Sequence, residues 1–132
     1  MPGKYSNTVR VYYPEPRTRE EVIEKVLLTL KEIKDKTDVS KVMLFGSYAK
    51  GRQTASSDVD VLVIYEEVGG VNEKERKDER KKEVYNLFWN SLKIPQLELH
   101  VYSSEEFERL KKSGSSFLKE IEKGIVIWSR DR

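Results

Sequence analysis

Leu44-Phe45-Gly46-Ser47, a polar loop, and then Ser57-Asp58-Val59-Asp60-Val61-Leu62-Val63 form the stretch on which the fold turns. An apolar run ends in Gly-Ser, and a second apolar run carries two carboxylates two residues apart. Side chains alternate along a strand, so Asp58 and Asp60 are expected on one face as neighbours. Two like charges repel there unless a cation holds them, and divalent magnesium, which prefers carboxylate oxygen, is the natural candidate. Gly46 and Ser47 supply the complementary half of a phosphate site. Glycine lets the backbone approach an anion closely, and a short helix opening at Ser47 would aim N–H groups at it.

Gly-Ser, ten residues, then Asp-x-Asp is a spacing this chain carries in register. With it, the sequence resembles the nucleotidyltransferases of the DNA polymerase beta superfamily, specifically their small minimal nucleotidyltransferase (MNT) branch. Ala49-Lys50-Gly51 resembles that family's small-basic-glycine element, with lysine where arginine is commoner; Lys50 keeps the charge but not the planar fork. The resemblance runs on through Leu97-Glu98-Leu99-His100-Val101 to the closing segment from Phe117-Leu118 to Trp128, and so covers most of residues 20 to 128. A lone Asp-x-Asp would be weak. Joined to Gly-Ser at this spacing, on a strand, turn, strand pattern, it is specific.

Composition narrows the alternatives. A chain of 132 residues is expected to make a single nucleotidyltransferase domain over 1–132, with 1–7 a polar tail. Lysine and arginine number 25 against 23 acidic residues, a net charge of +2, so long nucleic acid is not the favoured partner. The absence of cysteine removes disulfides, thiolate metal sites and cysteine nucleophiles. No apolar run approaches a membrane span and no signal-peptide pattern opens the chain, which makes the cytoplasm the expected location.

Working outward from the motif, Lys41–Phe45 and Asp58–Tyr65 are the flanking strands. Val59, Val61 and Val63 should lie under helices; Asp58, Asp60, Leu62 and Ile64 share the opposite, partly open face. Upstream, Thr8–Tyr13 alternates like a strand. Thr18 with Glu21 forms a capping box for a helix over 19–36, with an apolar stripe of Val22, Ile23, Val26, Leu27, Leu30 and Ile33. Downstream, Gly69-Gly70 makes a break and Asn72 a candidate cap. The helix that follows has no apolar residue from Glu73 to Glu83, so only its second half, with Val84, Leu87, Phe88 and Leu92, is expected to dock. Gln96–Tyr102 is a third strand with Leu97, Leu99 and Val101 on one face and Gln96, Glu98, His100 and Tyr102 on the other. Ser103 with Glu106 caps a helix that Gly114 ends, a helix around Phe117 and Ile121 follows, and Ile125–Trp128 closes as a strand. The expected class is α/β (α+β): a nucleotidyltransferase fold, a mixed β-sheet with helices mainly on one face. Leu62 and Ile64 require cover, from Phe117, Ile121 and Trp128 or from a second chain.

The resemblance implies two-metal nucleotidyl transfer. Asp58, Asp60 and Glu98 would be the catalytic and metal-binding carboxylates for two magnesium ions. Glu98, where many relatives have aspartate, is one methylene longer and could still reach a metal or accept a proton. Gly46, Ser47 and Lys50 would bind ATP or another nucleoside triphosphate, with Arg52 a less favoured cation. His100 has three readings, a neighbouring hydrogen bonder, a nucleotide contact or an ordinary half-buried histidine, and the last is the simplest. Tyr48, Trp89 and Trp128 read as packing, and Ser56 and Ser57 as loop-fixing residues. A chain this short leaves no room for a substrate domain, so the acceptor is expected on another protein. In the minimal branch that is a helical HEPN-type toxin in a toxin–antitoxin pair, to which AMP is transferred. The alternatives are a catalytically silent binding subunit and a free-standing small-molecule transferase working as a homodimer.

Overall fold

The computed structural model describes residues 17–66 and 74–130. The expected strand at Thr8–Tyr13, the tail, the Gly69-Gly70 break and the Asn72 cap lie outside these.

The elements in order are α1 (Arg19–Ile33), β1 (Val39–Phe45), α2 (Ser47–Lys50), β2 (Val59–Tyr65), α3 (Lys74–Leu92), β3 (Leu97–Ser103), α4 (Ser104–Ser113), α5 (Ser116–Glu122) and β4 (Ile125–Ser129). The strands make one mixed sheet in the order β3-β2-β1-β4. β1 runs antiparallel to both β2 and β4, while β2 and β3, joined through α3, are parallel. This is the mixed sheet anticipated from the sequence.

Local chemistry explains where the helices begin. At α1 the Glu21 amide donates to Thr18 Oγ1 at 3.0 Å, and the Thr18 amide donates to Glu21 Oε1 at 2.9 Å. Ser103 and Glu106 make the same reciprocal pair at the start of α4, with both contacts near 3 Å. Each box satisfies two amides that the first turn leaves without a helical partner.

The apolar alternation divides the sheet into two faces. Val42, Leu44, Val59, Val61, Val63, Leu97, Leu99 and Val101 pack under α1 and α3 through Val22, Val26, Leu30, Ile33, Val84, Phe88 and Leu92. The other face carries a smaller cluster of Met43, Phe45, Leu62, Ile64 and Ile121, with Tyr102, Phe107 and Phe117 against it. The two long helices therefore take one face and the short α4 and α5 part of the other. Leu62 is fully buried within the one chain. Its cover is Phe117 and Ile121, as expected; Trp128 packs against the α1 face instead.

Two further expectations need correcting. The polar half of α3 is not left to solvent alone: Lys81 donates to Glu106 Oε2 at 3.3 Å and lies 5.2 Å from the Tyr102 ring centroid, and Lys77 pairs with Glu105. Charge rather than apolar surface ties this half to α4, which is why an apolar-stripe count missed it. Trp89 is not a packing residue. It is 46% exposed and stacks on Tyr85, one helical turn away, at 6.0 Å.

Candidate active site

The loop after β1 is shaped by Gly46. Its φ of 78° with ψ of −152° lies in a region essentially confined to glycine. A β-carbon there would overlap Asp60 Oδ2 and sit 3.1 Å from Asp60 Cγ. The backbone of the Gly-Ser turn is thus pressed directly against the second carboxylate of the Asp-x-Asp pair. One turn of helix, α2, opens at Ser47 with no side-chain cap on its first amides. Arg19 Nε donates to the Tyr48 carbonyl at 3.2 Å, and Tyr48 itself is buried in the α1-side core. Together they anchor the turn to α1.

Parallel pairing of β2 with β3 sets Asp60 opposite Glu98 and Leu62 opposite His100. Alternation puts Asp60, Glu98 and His100 on the open face. One ligand atom from each of these three lies within 4.8 Å of the others. His100 Nε2 is 4.0 Å from Asp60 Oδ1. The imidazole forms a three-ring cluster with Phe45 and Phe117, each with its centroid 5.2 Å away.

Asp58, in contrast, is exposed just ahead of β2 and is not a member of this close group. Its charge nevertheless reaches Asp60. Burial, a side-chain hydrogen bond with Glu98, and the charges of Glu98 and Asp58 together push the Asp60 carboxyl up to about 7. Burial also lowers the His100 pKa, with the charge of Glu98 opposing the shift.

Lys50 does not point into open solvent. Its ammonium donates to Glu120 Oε1 on α5 at 2.9 Å, and this contact holds the Glu120 carboxyl below its usual range. Arg52 is exposed, its backbone amide bonding Ser47 O at 2.9 Å. Ser57 fixes the loop, its hydroxyl accepting from the Thr54 amide at 2.8 Å and its amide donating to the Thr54 carbonyl at 3.1 Å.

Of the sequence-based candidates, then, Gly46, Asp60 and Glu98 meet, with Ser47 opening the adjoining helical turn; Asp58 stands beside them and Lys50 is engaged by Glu120. His100, whose simplest reading was an ordinary half-buried histidine, joins them. Its signal was its position two residues from Glu98 on one strand, which alternation places on the same face. Glu120 had no comparable signal, since 70 residues separate it from Lys50.

The donor set suits a divalent cation. Two acids forced together with one of them raised to about 7 form an arrangement that a cation relieves, and both carboxylate oxygens are ligands such ions accept.

The nucleotidyltransferase domain family matches residues 11–127 of this sequence. The chain belongs to that family. Among relatives of this chain, the Methanocaldococcus jannaschii protein MJ1379, to which protein adenylyltransferase activity is ascribed, is 43% identical over 51 residues, which cover 39% of this chain and 51% of that protein. Protein adenylyltransferase MntA of Thermococcus cleftensis is 41% identical over 49 residues, covering 36% of this chain and 50% of MntA. The matches thus span about half the length of these relatives. A crystal structure from Sulfolobus solfataricus, described as a nucleotidyltransferase, superposes over 86% of both chains with a TM-score of 0.56 at 15% identity. That likeness is one of fold. No helix among the described residues of this chain is long and apolar enough to cross a membrane.

Proposed function

We propose that this nucleotidyltransferase moves AMP from ATP onto a hydroxyl of a protein acceptor, using magnesium held by Asp60 and Glu98 with Asp58. The observation that carries this reading is the position of Asp60, pressed against Gly46 on one side and paired with Glu98 on the other. An anion cradle and an acid cluster thereby share one wall. Carboxylates alone would suggest a cation site, and a Gly-Ser turn alone a loop. Their contact is what nucleotidyl transfer needs, a triphosphate and its counter-ion held side by side.

In the proposed reaction the turn amides and the Ser47 hydroxyl bind the terminal phosphates. Lys50, exchanging Glu120 for phosphate oxygen, neutralises charge on the departing pyrophosphate. The acceptor oxygen forms a bond to the α-phosphorus as the bond from that phosphorus to pyrophosphate breaks, and Glu98 takes the acceptor's proton. Asp60 and Glu98 would hold the magnesium, which when bound would supply charge neutralisation and alignment of the reacting oxygens. Asp58, beside the close group, is the residue to join a second ion.

A protein acceptor is favoured because the relatives above are named for protein adenylylation. The MNT resemblance adds the kind of protein, a helical HEPN-type toxin for which this chain would serve as antitoxin. The test is labelled ATP with magnesium and candidate acceptors, followed for pyrophosphate release and label transfer. Transfer onto a protein that falls by orders of magnitude in Asp60→Asn is the expected result. Equal transfer by Asp60→Asn would defeat the catalytic reading and leave a silent binding subunit. Label on a small molecule alone would move the acceptor class.

A further inference from the structure

We infer that His100 is itself a metal ligand, so that the site is a two-carboxylate, one-imidazole set that binds first-row transition dications more tightly than the magnesium of the proposed reaction. This rests on the proposed cation site and specifies which ions it takes. Three geometric facts carry it. The donor atoms of Asp60, Glu98 and His100 all lie within 4.8 Å of one another. Two donors each about 2.1 Å from one ion stand roughly 3.0 Å apart at a right angle and about 4.2 Å apart when opposite, so the group needs only a small closure around a shared cation.

Second, the 4.0 Å between His100 Nε2 and Asp60 Oδ1 is too long for a hydrogen bond and suited to two donors of one ion. Third, the ring is fixed by Phe45 and Phe117, whose own centroids are 5.5 Å apart edge to face. Its orientation is set before any ion arrives. Imidazole nitrogen suits iron, nickel, copper and zinc, whereas magnesium takes oxygen donors and keeps its waters, so adding nitrogen to two carboxylates changes which ion is preferred.

The test uses the intact protein without nucleotide and two probes. Pulsed electron paramagnetic resonance of bound Mn2+ should show modulation from a directly coordinated nitrogen, absent in His100→Gln and His100→Ala. Competition titration should show Co2+ affinity falling about tenfold or more in both variants with Mg2+ affinity changed less than about twofold. Circular dichroism in chelator checks that the variants fold, and the wild-type nitrogen signal decides the matter if they do not. Mn2+ bound without nitrogen modulation would overturn this inference and leave the proposed function standing. No binding of Mn2+ or Mg2+ at all would overturn both.

Discussion

Gly46 is constrained twice, by a backbone conformation that disfavours a side chain and by the Asp60 carboxylate that occupies the place of one. Gly46→Ala should therefore cost about 2 kcal/mol or more in urea denaturation and lower transfer by orders of magnitude, because relief of the overlap moves Asp60. Asp60 itself supplies a pH signature. Its carboxyl is raised to about 7 in the folded protein against 3.8 for an ordinary aspartate, so the folded state binds the proton more tightly than the unfolded one. The sign follows. The stability this group contributes is full below about pH 4 and is lost as pH rises towards 7. Melting curves in chelator between pH 5 and 8 should show that loss superimposed on the other groups. Asp60→Asn should remove it, with an unchanged or higher melting temperature at neutral pH and a smaller rise on adding magnesium. A pH slope identical in parent and variant would sink this assignment.

At the scale of elements, two contacts differ sharply in what they stabilise. Phe88 is fully buried where α3 meets the sheet, so Phe88→Ala should lose about 3 to 5 kcal/mol by chemical denaturation. The Lys50–Glu120 pair joins α2 to α5 on the surface, with both side chains partly exposed. Lys50→Ala should leave the melting temperature nearly alone while raising the KM for the triphosphate about tenfold, which steady-state kinetics would read. The elements themselves were legible because each announces itself locally: the capping boxes at Thr18 and Ser103, the stripe through Val22 and Leu30, the alternation in β2 and β3. Asp60 and Glu98 were legible for the same reason, since alternation and a parallel partner leave little freedom in where they point. What escaped were relations between distant segments. Nothing near Lys50 speaks of Glu120, nothing in the charged run of α3 names α4 as its partner, and His100 alone reads as well for packing as for a site. Trp89 was misread because an aromatic residue at a helical position looks like core until its face of the helix is known.

Considered as a whole, the molecule has a complete core on one side of its sheet and a borrowed one on the other. Met43, Phe45, Leu62 and Ile64 lie on the same face as the acids and are covered by Phe107, Phe117 and Ile121 from α4 and α5. Removing residues after Gly114 should leave that apolar floor wet and uncover β1, whose antiparallel neighbour β4 would be gone. Sedimentation of the truncated chain should show association or aggregation in place of the parent's behaviour, and a well-behaved monomer would count against this division of the core. The order of synthesis gives the same arrangement a second meaning. In a chain made from its N-terminus, β1, β2 and β3 are synthesised ahead of Phe117. Until α5 arrives, His100 lacks one of its two flanking rings and the acids stand at the rim of an unroofed apolar surface. The nascent protein would present chaperones with that surface, and the candidate site would assemble only once α5 is made.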